Sequence, residues 1–299
     1  MALTLDQALT GISGILVTPY DDSGEIAPQR LSPIIDRALG AGLHMPVVNG
    51  NTGEFYALTT DEACAMAREV VGMVGGRAPV LCGVGRGVRD ACRLARASAD
   101  AGATALMVHQ PPDPFVAARG IVDYLQAVAD ASGGLPMMLY LRNDAIGTAA
   151  IADLCAVEGV KGVKWATANP MKLADAKAAC DPSIVWVGGL AEIWAPAFYA
   201  MGARGFTSGL INVWPERSLA IHSALEAGDY AEANSLIRGM KAFEEIRAEE
   251  MNGTNVTGVK AALMALGRDC GPTRPPSAWP LTGAQQARLD AFLKANDLK

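Results

Sequence analysis

Apolar and polar positions along this chain fall into two alternating kinds of segment. Short, nearly continuous apolar runs occupy residues 11–20, 45–50, 78–84, 105–109, 136–142, 160–166, 184–189 and 205–211. Each is too short for a helix and is bounded by Gly or Pro, so each predicts a buried strand. Longer Ala-rich stretches with apolar residues at helical spacing lie between them, for example 63–74 and 89–101. Thr59 and Glu62 stand at capping-box spacing ahead of the first of these. Strands that alternate with helices of crossover length run parallel, and eight such units predict a (β/α)8 barrel. A doubly wound open sheet is the alternative that the pattern leaves open.

After residue 228 the strand-like runs cease. Residues 230–250, 256–266 and 283–296 read as helices, with a Pro-rich connection, Cys270-Gly-Pro-Thr-Arg-Pro-Pro, before the last. The expected organisation is a barrel over 1–228 and a helical extension over 229–299 packed on it.

Composition narrows the class. Hydrophobic residues make up 51% and charged residues 19%, which supports a large core and excludes disorder. Lys+Arg 25 against Asp+Glu 31 gives a net charge of −6 without any basic run, so neither nucleic acid nor an anionic membrane is an expected partner. The six cysteines form no C-x-x-C pair and read as reduced apolar fillers. The first residues lack a signal-peptide pattern and no run is long enough to span a membrane, so a cytoplasmic location is expected.

Several motifs carry little weight. Gly83-Val-Gly85-Arg-Gly87 lacks the third glycine of a dinucleotide loop at its proper place. His44, His109 and His222 have no partner at metal-ligand spacing, so no metal is expected. Glu244, Glu245, Glu249 and Glu250 read as a solvated helix face, as do Glu226, Asp229 and Glu232.

In a barrel, chemistry sits at the C-terminal ends of the strands. The sixth run, Val160-Lys161-Gly162-Val163-Lys164-Trp165, places Lys164 on one face with Gly162 and turns Lys161 to the other. An enclosed lysine loses hydration and its pKa falls, so the neutral amine can attack a ketone. A strand-end salt bridge fits that residue equally well. In the fifth run Tyr140 and Arg142 share a face. A phenol there can shuttle protons and an arginine can hold a carboxylate, although a core tyrosine is also common. After the second run, Gly50-Asn51-Thr52-Gly53 can gather backbone N–H groups into an anion nest, or form an ordinary turn.

Together these residues resemble the dihydrodipicolinate synthase / N-acetylneuraminate lyase family of Schiff-base barrel enzymes. The likeness covers nearly the whole chain. It includes Leu16-Val-Thr-Pro-Tyr20, Gly50-Asn-Thr-Gly-Glu-Phe-x-x-Leu58-Thr59, Tyr140, Gly162-Val-Lys164, Gly188-Gly189 and Ser208-Gly-Leu-Ile-Asn212. The resemblance implies Lys164 as the Schiff-base lysine and Tyr140 as the proton relay. It implies a substrate-binding set of Asn51, Thr52, Gly50, Arg142, Gly189 and Ser208. It also implies no cofactor beyond the covalent lysine imine, a 2-keto acid as the small-molecule partner, and a homo-oligomer, dimer or tetramer.

The chain departs from the lysine-pathway synthases of that family. Their tyrosine pair after the fourth strand is replaced by Gln110-Pro-Pro-Asp113-Pro, and Ala145 stands where they carry an arginine. Tyr140-x-Arg142, Gly53-Glu54-Phe55, Gly188-Gly189-Leu190 and the tail Cys270-Gly-Pro-x-Arg274 are more similar to the 5-dehydro-4-deoxyglucarate dehydratases. Dehydration of a keto-deoxy sugar acid is therefore the expected reaction. The alternatives are a pyruvate-dependent aldolase or synthase of the same family, a barrel binding phosphate at Gly188-Gly189 and Ser208-Gly209, and a non-catalytic keto-acid sensor.

Overall fold

The computed structural model describes residues 3–113, 115–276 and 279–298. Its strands are β1 (Ile12–Ile15), β2 (Met45–Val48), β3 (Leu81–Val84), β4 (Ala105–His109), β5 (Met137–Leu141), β6 (Val160–Trp165), β7 (Val185–Gly188) and β8 (Phe206–Ser208). All pair in parallel, in chain order, and β8 returns to β1 to close a barrel. The helices are α1 (Leu5–Leu9), α2 (Ser32–Ala41), α3 (Thr60–Val74), α4 (Val88–Asp100), α5 (Ala118–Ala131), α6 (Thr148–Cys155), α7 (Pro170–Ala179), α8 (Ala191–Ala200), α9 (Pro215–Glu226), α10 (Tyr230–Asn252), α11 (Asn255–Ala265) and α12 (Gly283–Ala295). The open-sheet alternative is excluded by closure.

Strand alternation divides the buried side chains into two cores. One set, including Ile15, Met45, Val47, Leu81, Met107, Met138, Tyr140 and Val187, fills the lumen. The larger set packs strands against helices, with Trp165 and Trp186 among its largest members. Ala8 and Leu9 of α1 join the lumen cluster. This short helix was not foreseen: it is five residues long and precedes the first apolar run.

Two predicted runs outlast their strands. β1 ends at Ile15 because the following residues turn over the barrel rim, where Val17 N–H donates to Asn212 Oδ1 at 3.3 Å. The run 205–211 holds only the short β8 and then a 3-10 turn, Leu210–Asn212. Asn212 Nδ2 donates there to Ile15 O and Gly209 O, both at 2.8 Å. The Thr59 capping box forms as expected, with Glu62 reaching back to the Thr59 N–H at 2.7 Å.

The last three helices lie against the barrel. Arg274 ties the tail to the loop after β2: its N–H donates to Glu54 Oε2 at 2.8 Å and its guanidinium grips both oxygens of Glu62, at 2.6 and 2.9 Å. Lys260 of α11 pairs with Glu54 at 2.7 Å, both side chains being almost wholly buried.

Candidate active site

Tyr140 and Lys164 are direct partners in the β5–β6 register, so they share a face and a level. Both point into the lumen, and the Lys164 Nζ lies 3.8 Å from the centre of the Tyr140 ring. Gly162, one pleat below, leaves the space that a Cβ would fill at 3.0 Å from Val185 O. Lys161 is exposed, as alternation requires. Lys164 is 3% exposed. Loss of hydration, reinforced by the Arg142 charge, lowers its pKa to about 7. Its amine is thus substantially neutral, and nucleophilic, near neutral pH.

A cavity of about 360 Å³ opens above this pair, at the C-terminal end of the barrel. It is lined by Lys164, Tyr140, Asn51, Thr52, Arg142 and Gly189 among others. The structure thus brings six of the eight residues singled out from the sequence to one opening. Asn51 Nδ2 donates to the Tyr140 hydroxyl at 2.9 Å. Burial pushes the Tyr140 pKa up to about 12, so the phenol holds its proton and can both donate and accept.

Asn51 and Thr52 stand in a 3-10 turn, Asn51–Gly53, directly after β2. The first N–H groups of such a turn have no partner within it, and Asn51 and Thr52, which carry them, line the cavity. The glycines serve this loop differently from the expected nest. The Gly53 N–H is spent on Gly50 O at 3.0 Å. Gly50 is required by crowding, since a Cβ there would meet Ile15 Cγ2 at 2.5 Å. Gly50 itself does not line the cavity. Thr18 Oγ1 secures the turn from below by donating to Gly53 O at 2.6 Å.

Arg142 is exposed at the mouth and engages Tyr56, donating to its hydroxyl at 3.3 Å. The sequence reading passed over Tyr56. Its place in the Gly-Glu-Phe-Tyr stretch after the cradle was the available signal. His109 is buried beneath, stacked on Phe55 with 4.3 Å between ring centres, and donates through Nε2 to Asn49 O at 2.9 Å. Burial depresses its pKa to about 3, which keeps it neutral. Pro114, last of the segment that replaces the tyrosine pair, lies outside the described residues.

Ser208 is not brought to the site. Alternation in β8 points Thr207 into the cavity and Ser208 outward, where it is fully buried between α8 and α9. Its hydroxyl donates to Glu192 Oε1 at 2.5 Å and lies 3.1 Å from Ser218 Oγ. The alternative of a phosphate cradle loses its donors in the same way. Gly188 N–H goes to Gly205 O and Gly189 N–H to Trp165 O, and the space at Gly209 is filled by the Arg247 guanidinium. Glu244 also departs from the expected solvated face. It is buried, pairs with Arg247 and lines the cavity, so it belongs to no solvated face.

The model of the dihydrodipicolinate synthetase family matches residues 8–296 of this chain. The chain is 31% identical to the probable 5-dehydro-4-deoxyglucarate dehydratase 2 of Streptomyces avermitilis, over 95% of this chain and 86% of that one. It is 34% identical to the 4-hydroxy-tetrahydrodipicolinate synthase 1 of Streptomyces coelicolor, over 87% and 86% of the two chains. The solved dihydrodipicolinate synthase from Oceanobacillus iheyensis covers 98% of both chains, with a TM-score of 0.93 and 34% identity.

Proposed function

This chain belongs to the dihydrodipicolinate synthetase family, and from that premise we propose that it is a class I lyase that binds a 2-keto acid as an imine on Lys164. The observation that carries the reading is the sealed amine at the base of the cavity, its pKa lowered to about 7 beside the Tyr140 phenol. In this reading the neutral Lys164 amine attacks the C2 ketone. Tyr140 hands a proton to the carbinolamine oxygen, which leaves as water as the C=N bond forms. The N–H groups and side chains of Asn51 and Thr52 hold the adjacent carboxylate. The Tyr140 phenolate left by that proton transfer then takes a C3 proton while the protonated imine accepts the C–H electron pair, giving an enamine with no resident cofactor.

The preferred reaction from the enamine is dehydration of a keto-deoxy sugar diacid such as 5-dehydro-4-deoxyglucarate. Arg142 supports this choice, because an exposed guanidinium at the mouth suits a second carboxylate. Several relatives named as 5-dehydro-4-deoxyglucarate dehydratases support it too. The second reading is a pyruvate-dependent aldolase or synthase, favoured by the relative named 4-hydroxy-tetrahydrodipicolinate synthase at 34% identity. Incubation with keto-deoxy sugar acids, and with pyruvate plus aldehydes, followed by mass spectrometry of the products separates the two. Loss of water from a sugar diacid supports the dehydratase. Turnover confined to pyruvate with aspartate semialdehyde overturns it in favour of the synthase.

A further inference from the structure

Part of the cavity wall is contributed not by the barrel but by the tail, through Glu244, Arg247 and Asn252 of α10 and Asn255 of α11. Glu244 and Arg247 form a buried ion pair, their side chains 8% and 4% exposed. Each of the three guanidinium nitrogens makes a hydrogen bond. Nη1 donates to Glu244 Oε1, Nη2 to Asn255 Oδ1 at 3.0 Å, and Nε to Asn255 O at 3.3 Å. Arg247 is therefore a clamp and not a free cation. Glu244 Oε2 takes no hydrogen bond among the described residues and is not one of their sealed polar atoms. It is the oxygen left to meet a ligand.

A second carboxyl stands behind the first. Glu192 is fully buried and receives Ser208 and Ser218 on Oε1, at 2.5 and 2.6 Å. Burial and the nearby Glu244 charge push its pKa up. Of the two carboxyls, Glu244 is the one that pairs with the guanidinium of Arg247.

The cavity consequently carries an available cation on one wall, Arg142, and a held carboxylate on another, Glu244. A second carboxylate of a substrate is drawn to Arg142 and repelled by Glu244. A hydroxyl group is the natural partner of a carboxylate oxygen that has no donor of its own. We propose that Glu244, clamped by Arg247, is a specificity-determining residue that accepts a hydrogen bond from a substrate hydroxyl and so selects hydroxylated keto acids over their deoxy counterparts. The proposal rests on the keto-acid reading above and names what that site reads in the chain beyond the imine.

The test compares two six-carbon keto diacids, 5-dehydro-4-deoxyglucarate and 2-oxohexanedioate, which differ by two hydroxyl groups. Half-saturation for borohydride trapping on Lys164 is measured for each. Glu244→Gln keeps an oxygen acceptor for Arg247 and puts an amide NH2, a donor, where the carboxylate oxygen faced the ligand. It should raise half-saturation for the sugar acid about tenfold, and less than twofold for 2-oxohexanedioate. Gly209→Ala, whose Cβ would strike the Arg247 guanidinium, should move the ratio of the two compounds in the same direction without altering Glu244. A ratio within twofold of the unmodified protein in both variants, with both compounds still trapped on Lys164, overturns the proposal alone. If the unmodified protein traps neither compound on Lys164, the keto-acid reading itself falls, and the proposal with it.

Discussion

The neighbours of Lys164, rather than its identity, give it the chemistry proposed for it. An amine that is 3% exposed, with a phenyl ring at 3.8 Å and a guanidinium in the same cavity, cannot hold a proton as firmly as a hydrated lysine. The sequence showed the position of that lysine on its strand and the free space at Gly162. It did not distinguish a sealed amine from a strand-end salt bridge, because sealing depends on residues from other strands. Arg142 shows the reverse situation: it is exposed, and its guanidinium rests against Tyr56 and Tyr140. Arg142→Ala is expected to raise KM for a dicarboxylate substrate about ten- to a hundredfold, the value of a lost charge-assisted pair, and to change KM for a monocarboxylate far less. Steady-state kinetics on one substrate of each kind decide it, and equal effects on both would make Arg142 structural.

At the scale of elements, period-two alternation was readable wherever a strand stayed regular. It placed Tyr140 with Arg142, and Lys164 apart from Lys161. It was less use at β8, where the apolar run continues past Ser208 into a 3-10 turn and the strand itself has three residues. Nothing in the run marked which of Thr207 and Ser208 faces inward. Helix faces were harder still. A cluster of acidic residues on α10 resembles a solvated surface until the partner elements are known, and Arg247, three residues after Glu244, was the overlooked sign of a buried pair. The cradle after β2 depends on contacts of the same long-range kind. Glu54, in a left-handed conformation at φ 55°, is held by Lys260 and by the Arg274 N–H from the far end of the chain. Lys260→Met should leave the Glu54 charge buried without its partner and cost about 3–5 kcal/mol of stability. Urea unfolding followed by circular dichroism measures this, and a loss below about 1 kcal/mol would mean that water reaches Glu54.

At the scale of the whole molecule, the number and order of the strands were legible because each unit repeats one local signal. The closed barrel follows once eight such units are parallel and adjacent. The tail's part in the cavity was not legible, since it depends on where α10 and α11 dock and not on their own patterns. The result is a site assembled from both: the barrel supplies the amine, the phenol and the cradle, and the tail supplies a polar wall. The imine on Lys164 is the premise on which every substrate assignment depends. Pyruvate and borohydride, with peptide mapping by mass spectrometry across a pH series, test it directly. One pyruvate-derived group per chain should appear on Lys164 and not on Lys161. The trapping rate should rise with pH through about 7, as the depressed pKa frees the neutral amine, and Lys164→Met should abolish it. Labelling at Lys161, or turnover of a keto acid with no lysine labelled at any pH, would contradict the mechanism outright.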